Sequence, residues 1–268
     1  MNMFALLYAK VCSGVVHLNF LRGGRRISAG TGFMLNSLLV TNNHVAYCPS
    51  ADTVRVRTLR HDRKDTNDGV EVPYERFQSY RASGSPETQF DYAIFKVPEL
   101  VALNLHNFHV EHITEPTIGR EYAILGYPLD HFNLTVHRGI ISSFYERCGV
   151  QVFQLDASVN NGNSGGPLVE LTDGGIVGIV TRKNSGLTDT FLELQKTLDQ
   201  NAAVIEPATS DMTFSTGGFE SNKAAIASHH QLKRLCFEIE RSANTGIGYA
   251  FSIKHLAEQN PQLVEPAG

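Results

Sequence analysis

Three polar residues in this 268-residue chain have the types and order needed for nucleophilic acyl-transfer chemistry. Residues 162–166 read Gly-Asn-Ser-Gly-Gly, and the glycines around Ser164 permit a tight turn that exposes its hydroxyl. A serine hydroxyl is a poor nucleophile near neutral pH unless an imidazole takes its proton and a carboxylate orients that imidazole. His44 and Asp91 precede Ser164 and can supply these two groups. The same turn can direct the N–H groups of Gly162 and Ser164 at one point, where they would form an oxyanion hole.

Each of these residues lies at the boundary of a predicted strand. One strand ends just before His44, another begins just after Asp91, and a third follows Ser164. Apolar segments between Gly, Pro, Asn and Asp turns predict strands over 13–20, 26–35, 38–42, 53–60, 70–78, 92–97, 120–126, 134–142, 150–156, 167–170, 175–181 and 247–251. Helical periodicity is scarce before residue 186, so the predicted fold class is mainly β. A chain of this length with 42% hydrophobic residues can bury the core of one large β domain or of two small barrels.

The order and content of these segments resemble the trypsin-like serine peptidases, and within them the HtrA/Do type. The resemblance rests on the residues at 30–33, 40–45, 91–97, 126–128, 139–142, 156–169, 175–180 and 246–251. It implies two antiparallel six-stranded β-barrels that form one peptidase unit with the catalytic residues in the cleft between them. The first barrel is expected at 1–110 with His44 and Asp91, and the second at 111–268 with Ser164.

The resemblance also implies a mechanism. Ser164 would attack a peptide carbonyl while His44 takes its proton and Asp91 orients the imidazole. Protonation of His44 should abolish activity below about pH 6–6.5, the range in which an ordinary imidazole titrates. Substrate backbone is expected to add as a strand along Ile179, Val180 and Thr181.

Two departures from the wider trypsin-like pattern bear on regulation and specificity. Zymogen-activated members have an aspartate before the nucleophile that pairs with a new N-terminus, whereas this chain has Asn163. Activation by N-terminal cleavage is therefore not expected. Ser158 stands six residues before the nucleophile, where Lys- or Arg-selective members have a carboxylate at the floor of the primary specificity pocket. An uncharged pocket should favour small or medium apolar residues.

The segment 182–245 is much longer than the short hairpin that the resemblance implies at this place. Apolar residues recur in it at helical spacing, namely Phe191, Leu192, Leu194 and Leu198, then Ile226, Leu232, Leu235, Cys236 and Ile239. They predict an α-helical hairpin inserted in the second barrel at about 185–244, with a polar loop over 207–218 between its helices. The insertion could act as a lid, an exosite or a docking surface for a regulatory protein, or it could be a passive packing element.

Composition excludes several other classes of protein. The net charge of −4 and the interrupted basic groups give no electrostatic footprint for nucleic acid. No stretch reaches the roughly 18 apolar residues of a membrane-spanning helix. The four cysteines have neither CxxC spacing nor disulfide-scaffold density, and the apolar start over 1–10 has no basic leader. A cytoplasmic protein with free thiols is therefore expected.

No cofactor or metal is expected either. A run of histidines with three-residue spacing could hold a metal ion, because ligands at this spacing can share a helical face. The segment is more typical of a linker between two barrels. The residues concerned are His106, His109, Glu111 and His112.

Two alternatives to a constitutive serine endopeptidase stay open. A catalytically inactive trypsin-like binding module would keep the barrels but should lack part of the catalytic set, which here is complete in sequence. A partner-gated protease would keep that set while the insertion blocks the cleft or misaligns the oxyanion hole. Only a short helix capped by Ser252 is predicted after the last strand, so the PDZ domain that usually follows HtrA-type peptidases is not expected.

Overall fold

The computed structural model describes residues 2–59, 69–110, 116–129, 132–183, 189–208, 215–216, 219–243 and 245–263. The chain forms two compact units, of which the first contains 1–184 together with 246–268 and the second contains 185–245. All of the predicted site residues belong to the first unit. No helix in the described ranges is both long and apolar enough to cross a bilayer.

The N-terminal part of the first unit is an antiparallel sheet of seven strands in the order β5-β4-β1-β2-β3-β7-β6. Phe20, Leu39 and Phe95 are fully buried in its core. The strands are β1 Val15–Arg22, β2 Arg25–Leu35, β3 Leu38–Thr41, β4 Thr53–Thr58, β5 Val70–Pro73, β6 Arg81–Ser85 and β7 Tyr92–Phe95. The helices that precede or connect them are α1 Met3–Val11, α2 Asn43–Ala46, α3 Tyr74–Ser79 and α4 Pro98–Val101.

This sheet differs in detail from the six-stranded closed barrel that was expected. It has seven strands, and its outer strands β5 and β6 form no ladder with each other in the described ranges. The predicted strand over 70–78 stops at Pro73, which lacks the N–H that a continuing ladder needs, and helix α3 follows. Strand β6 lies in a segment where no strand was predicted, because Arg-Ala-Ser-Gly-Ser has no apolar alternation, and it forms by pairing with β7.

The C-terminal part of the first unit is a closed six-stranded barrel in the order β10-β15-β12-β11-β8-β9, as predicted. Its inner positions hold Ile124, Phe153 and Val180, all fully buried. The strands are β8 Glu121–Gly126, β9 Thr135–Arg147, β10 Val150–Asp156, β11 Pro167–Glu170, β12 Ile176–Lys183 and β15 Ile247–Ser252. Helix α7, Ile253–Gln259, follows with the hydroxyl of Ser252 accepting from the N–H of Lys254, so the predicted cap is present.

The second unit contains the predicted helical insertion. Helices α5, Asp189–Ala208, and α6, Ser221–Ser242, are in contact, and between them lie the two-residue strands β13, Ser215–Thr216, and β14, Phe219–Glu220. Lys233 Nζ lies 2.7 Å from Asp199 Oδ1, and Cys236 and Leu198 are buried. The remaining residues of the predicted 207–218 loop lie outside the described ranges.

Candidate active site

His44 and Asp91 are in direct contact. His44 belongs to the one-turn helix α2, which begins at Asn43 shortly after β3 ends at Thr41. Its ring Nδ1 lies 2.7 Å from Asp91 Oδ2, and its backbone N–H donates to Asp91 Oδ1 at 3.0 Å. The imidazole is 33% exposed, whereas the carboxylate is fully buried. Because Nδ1 faces the carboxylate, Nε2 is the ring nitrogen that can exchange a proton with another group.

The buried carboxylate of Asp91 has a third donor besides the two from His44. Thr181 Oγ1 donates to Asp91 Oδ2 at 3.0 Å. The carbonyl of Asp91 in turn accepts from Asn42 Nδ2 at 2.8 Å. Asp91 has φ 51°, a left-handed conformation that aspartate adopts more readily than most residues. A buried carboxylate is costly unless it is paired and hydrogen-bonded, so these contacts hold the Asp91–His44 pair in one arrangement.

The turn around Ser164 requires glycine at two positions. Gly162 has φ 97°, and a Cβ there would lie 2.2 Å from the carbonyl oxygen of Tyr127. Gly165 has φ 83°, and a Cβ there would lie 2.1 Å from the carbonyl oxygen of Thr31. Thr31 also holds the turn from outside, because its N–H donates to the carbonyl of Ser164 at 2.9 Å and its hydroxyl donates to that of Gly162 at 2.6 Å.

The N–H groups of Gly162 and Ser164 make no hydrogen bond to any residue that the structure describes. Their neighbours do, since Asn163 N donates to the carbonyl of Asn160 at 3.0 Å and Gly165 N donates to that of Val180 at 2.8 Å. These flanking bonds fix the turn while two donors stay unused. Unused donors of this kind can stabilise a negatively charged oxygen.

The hydroxyl of Ser164 donates to the carbonyl oxygen of Thr181 at 2.7 Å. Within the described ranges, it makes no hydrogen bond to His44. Thr181 therefore connects the site residues, because its side chain binds Asp91 and its carbonyl binds Ser164. The structure brings His44 and Asp91 into contact and joins Ser164 to them through Thr181.

The structure contradicts the predicted pairing of a substrate strand with Ile179 and Val180. Ile179 pairs with Pro167 on one side and with Phe251 on the other, and Val180 is likewise bonded on both sides. Both residues are fully buried, so a new strand cannot pair there. Thr181 is the extra residue of a β-bulge against β15, and within the described ranges β12 has no β11 partner after Ile179. The part of β12 that has no partner on the β11 side therefore runs from Thr181 to Lys183 in the described ranges.

Ser158, predicted at the floor of the specificity pocket, is exposed. Its neighbours Ala157 and Val159 are buried, at 6% and 1% exposure. A Cβ on Gly248 would lie 2.3 Å from a methyl group of Val159, so this apolar side chain fills the space against β15. The groups next to Ser158 are thus apolar.

The histidines considered as metal ligands have other partners. His109 Nε2 lies 3.2 Å from Asp173 Oδ2, and the ring of His106 packs edge-on against Phe108. Glu111 and His112 lie outside the described residues. In the described part of the chain, no three His, Cys, Asp or Glu side chains are grouped as metal ligands.

Several supporting residues were not recognisable from the sequence. The hydroxyl of Thr31 accepts from the N–H of Tyr127 at 3.0 Å as well as supporting the Ser164 turn. Tyr127 stacks on His17 with ring centroids 4.6 Å apart, and its burial raises the pKa of its phenol. These contacts join segments far apart in the chain. The available sequence signal was a threonine inside a glycine-rich strand, which by itself indicates only close packing.

Asn163 is fully buried, and neither polar atom of its side chain has a hydrogen-bond partner among the described residues. We predict that Asn163→Asp lowers the free energy of unfolding by several kcal/mol at pH 7, because it buries an uncompensated charge. The similarly shaped Asn163→Leu should cost less than about 1.5 kcal/mol. Urea unfolding of both variants measures the difference.

The pH dependence of the unfolding free energy provides a control for the buried charge in Asn163→Asp. Burial would raise the pKa of that new carboxyl in the folded state, so the folded state binds more protons and stability falls as pH rises. The Asp variant should therefore recover stability relative to Asn163→Leu as the pH is lowered towards 4. Equal stability of the two variants at pH 7 would contradict the burial of this site.

The two barrel-like sheets, with a His–Asp pair whose carboxylate is buried and a glycine-flanked serine at their junction, define the class of chymotrypsin-fold peptidases. Residues 30–179 match the family described as Trypsin-like peptidase domain. This match covers more than half of the chain, and the chain belongs to that family. Its relatives identify the HtrA type within the family.

Human serine protease HTRA3 is 30% identical over 199 residues, which are 68% of this chain and 40% of that protein. A probable periplasmic serine endoprotease, DegP-like, of Halomonas elongata is 33% identical over 162 residues, 58% of this chain and 29% of that protein. The chain thus spans less than half of the length of these relatives.

Two solved structures share the fold. The HtrA-type protease AlgW with a tripeptide has a TM-score of 0.58 at 22% identity, over 98% of this chain and 64% of that one. The serine endoprotease from Yersinia pestis has a TM-score of 0.57 at 19% identity, over 98% and 67% of the two chains.

Proposed function

We propose that this protein is a serine endopeptidase with Ser164 as nucleophile, His44 as general base and Asp91 as the group that orients His44. The observation that carries the proposal is the 2.7 Å contact between His44 Nδ1 and the buried Asp91 carboxylate, because it fixes the tautomer that leaves Nε2 able to accept a proton. The unused N–H groups of Gly162 and Ser164 support an oxyanion hole at the same turn.

The substrate in this proposal is a peptide segment that pairs with the open edge from Thr181 to Lys183. Main-chain pairing with such an edge gives affinity, and side-chain pockets give sequence preference. The tripeptide bound to the related AlgW supports the same class of ligand here. Incubation with a denatured protein and a peptide library, followed by mass spectrometry, should reveal internal cleavages. If neither the whole chain nor a variant lacking 186–243 cleaves these substrates internally, the proposal is wrong.

The two barrels form one peptidase unit in this proposal, with 1–110 as the first and 111–268 as the second. Strands β1–β7 precede the boundary, and all strands of the closed barrel follow it. His44 and Asp91 thus come from the first barrel, and Ser164 comes from the second.

The specificity pocket should accept small or medium apolar residues. The side chain of Val159 is apolar, and Ser158 provides no carboxylate. Both features oppose binding of the charged side chain of a substrate Lys or Arg. A peptide library should show apolar residues before the scissile bond preferred over Lys or Arg by about tenfold or more in kcat/KM. Ser158→Asp should shift the preference towards Lys and Arg. A wild-type preference for Lys or Arg would refute this assignment.

The helical insertion is proposed as a regulatory element that a protein partner engages. Its support is the set of apolar side chains that remain exposed on the described helices, Leu194, Leu232, Leu235, Phe237 and Ile239. The Ser164 hydroxyl is bonded to the Thr181 carbonyl and not to the His44 imidazole, which favours a gated enzyme over a constitutive one. The inactive binding module has no comparable observation in its favour.

Deletion of 186–243 tests this regulatory role. Lys183 pairs with Gly248, so the residues left between them can close a short hairpin loop. If the insertion restrains the site, the deleted variant should cleave peptides at least about tenfold faster, a change that corresponds to about 1.4 kcal/mol of coupling. Thermal unfolding must show that the variant is folded. Unchanged, low activity in a folded variant would count against gating.

A cytoplasmic location is part of the proposal and rests on the cysteines. All four, Cys12, Cys48, Cys148 and Cys236, are free thiols. Free thiols are typical of proteins in a reducing compartment. Alkylation of the protein in intact cells, before lysis, should label the accessible Cys48 and Cys148 without prior reduction.

A further inference from the structure

His137 is a half-buried histidine on β9 that has no role in the proposed mechanism. In the ladder between β8 and β9, Ile124 pairs with His137 and Gly126 pairs with Thr135. Residues directly opposite each other on an antiparallel pair point to the same face of the sheet. The side chains of Thr135 and His137 therefore share the face of Ile124, which lies in the core of the closed barrel.

This face of the barrel meets both ends of the segment 157–163, which leads to the nucleophile. At one end, a Cβ on Gly126 would lie 2.7 Å from Asn163 Oδ1. At the other end, Gly139 is on the same face of β9, and a Cβ there would lie 2.7 Å from Ala157 Cβ. The imidazole stands between these two positions on the ladder, so it faces the middle of the segment. It therefore lies beside the proposed specificity pocket.

The hydrogen bonds of Thr135 fix the tautomer of His137. The Thr135 hydroxyl oxygen lies 3.0 Å from the carbonyl oxygen of Gly126 and 3.0 Å from His137 Nε2. A carbonyl can only accept, so the single hydroxyl proton goes to Gly126, and Nε2 must donate its own proton to the hydroxyl oxygen. In a neutral imidazole the other ring nitrogen then carries a lone pair. Nδ1 of His137 is thus a hydrogen-bond acceptor.

This acceptor is unused in the part of the chain that the structure describes, because the only hydrogen bond of the His137 ring there is the one to Thr135. Burial lowers the pKa of His137, which keeps the imidazole neutral near pH 7. A substrate side chain that enters the pocket would displace water from Nδ1. A side chain with a donor replaces that hydrogen bond, whereas an apolar side chain leaves the acceptor unpaired.

We propose that His137 is a specificity-determining residue, whose Nδ1 accepts a hydrogen bond from a hydroxyl or amide group on the substrate residue before the scissile bond. This inference rests on the proposed endopeptidase function and narrows the set of small and medium residues that suit the pocket. Threonine should be preferred over valine, which has the same shape but a methyl group in place of the hydroxyl. An unpaired acceptor sets the size of this preference at about 5- to 150-fold in kcat/KM.

Three peptides that differ only in the residue before the scissile bond, threonine, valine or aspartate, test this role. They compete in one mixture, so the ratios of kcat/KM do not depend on the amount of folded enzyme. The variants are His137→Leu, which removes the acceptor, and Thr135→Val, which removes the group that fixes its tautomer. His109→Leu is the matched control, since His109 also lies beside a polar side chain but is 55% exposed.

Wild type and His109→Leu should both cleave the threonine peptide about 5- to 150-fold more efficiently than the valine peptide. His137→Leu should reverse this order, because a hydroxyl against an apolar wall finds no partner. Thr135→Val should lower the ratio, since either ring nitrogen of His137 can then carry the proton. A purely structural role of His137 would change the rates for both peptides together and leave their ratio unchanged.

Equal cleavage of the threonine and valine peptides by wild type, or an unchanged ratio in His137→Leu, would overturn this inference and leave the peptidase proposal intact. A preference for aspartate over threonine would show that the imidazole is charged, and it would overturn the inference as well. If neither wild type nor the variant lacking 186–243 cleaves any of the three peptides, the proposed function and this inference are both wrong.

Discussion

Replacement of Ser164 or His44 by alanine is expected to reduce kcat/KM for a peptide substrate by about 10⁴- to 10⁶-fold. The two residues act on the same proton, so the double variant should be no less active than either single variant. Residual hydrolysis should persist, since the N–H groups at Gly162 and Ser164 remain. Steady-state kinetics with mass-spectrometric detection of products measures all three variants.

Two matched variants control for loss of similar contacts elsewhere. Ser142→Ala removes a hydroxyl that also donates to a main-chain carbonyl, that of Gln154 at 3.1 Å. His109→Ala removes an imidazole that also faces a carboxylate, that of Asp173. Both should retain activity near that of wild type. A Ser164→Ala protein with more than a tenth of wild-type activity would contradict the assignment of the nucleophile.

Replacement of Asp91 by asparagine is expected to lower kcat by about 10⁴-fold. The carboxylate accepts from the His44 N–H, from His44 Nδ1 and from the Thr181 hydroxyl. An amide has only one oxygen, so its NH₂ group would face at least one of these donors. The imidazole would then turn or adopt the other tautomer, in which Nε2 carries a proton and cannot act as a base.

The same substitution should also lower the free energy of unfolding by about 1–3 kcal/mol, because one buried donor loses its acceptor. Asp173→Asn is the matched control, since Asp173 faces His109 at 3.2 Å but is 47% exposed. It should alter neither kcat nor stability appreciably. Equal effects of the two substitutions would contradict a special role for the buried Asp91 carboxylate.

His44, Asp91 and Ser164 were predicted at strand boundaries from local sequence signals, and these boundaries are present in the folded chain. Each stands where a strand begins or ends, and turn chemistry at such boundaries is readable from Gly, Asn and Asp. The helical insertion was predicted from local pattern as well, because its apolar residues recur at helical spacing. The closed barrel was what the resemblance to the trypsin-like peptidases implied. Local patterns were sufficient to predict the elements whose residues recur at regular spacing.

The features that the sequence did not reveal are those made across strands. Strand β6 has no apolar alternation and exists through its pairing with β7. The bulge at Thr181 depends on a register shift against β15. Ile179 and Val180 are paired on both sides, whereas the following residues of β12 have no β11 partner in the described ranges. The hydroxyl of Thr31 joins the first barrel to the Ser164 turn. None of these contacts leaves a periodic signal in the residues that make them.

Covalent labelling of Ser164 tests the central claim most directly. The whole chain and the variant lacking 186–243 would each be treated with a fluorophosphonate, digested and mapped by mass spectrometry. We predict a single phosphonyl adduct on the peptide that contains Ser164, which His44→Ala strongly reduces. An adduct on another residue, or no adduct in either protein, would contradict the proposal that Ser164 is an activated nucleophile.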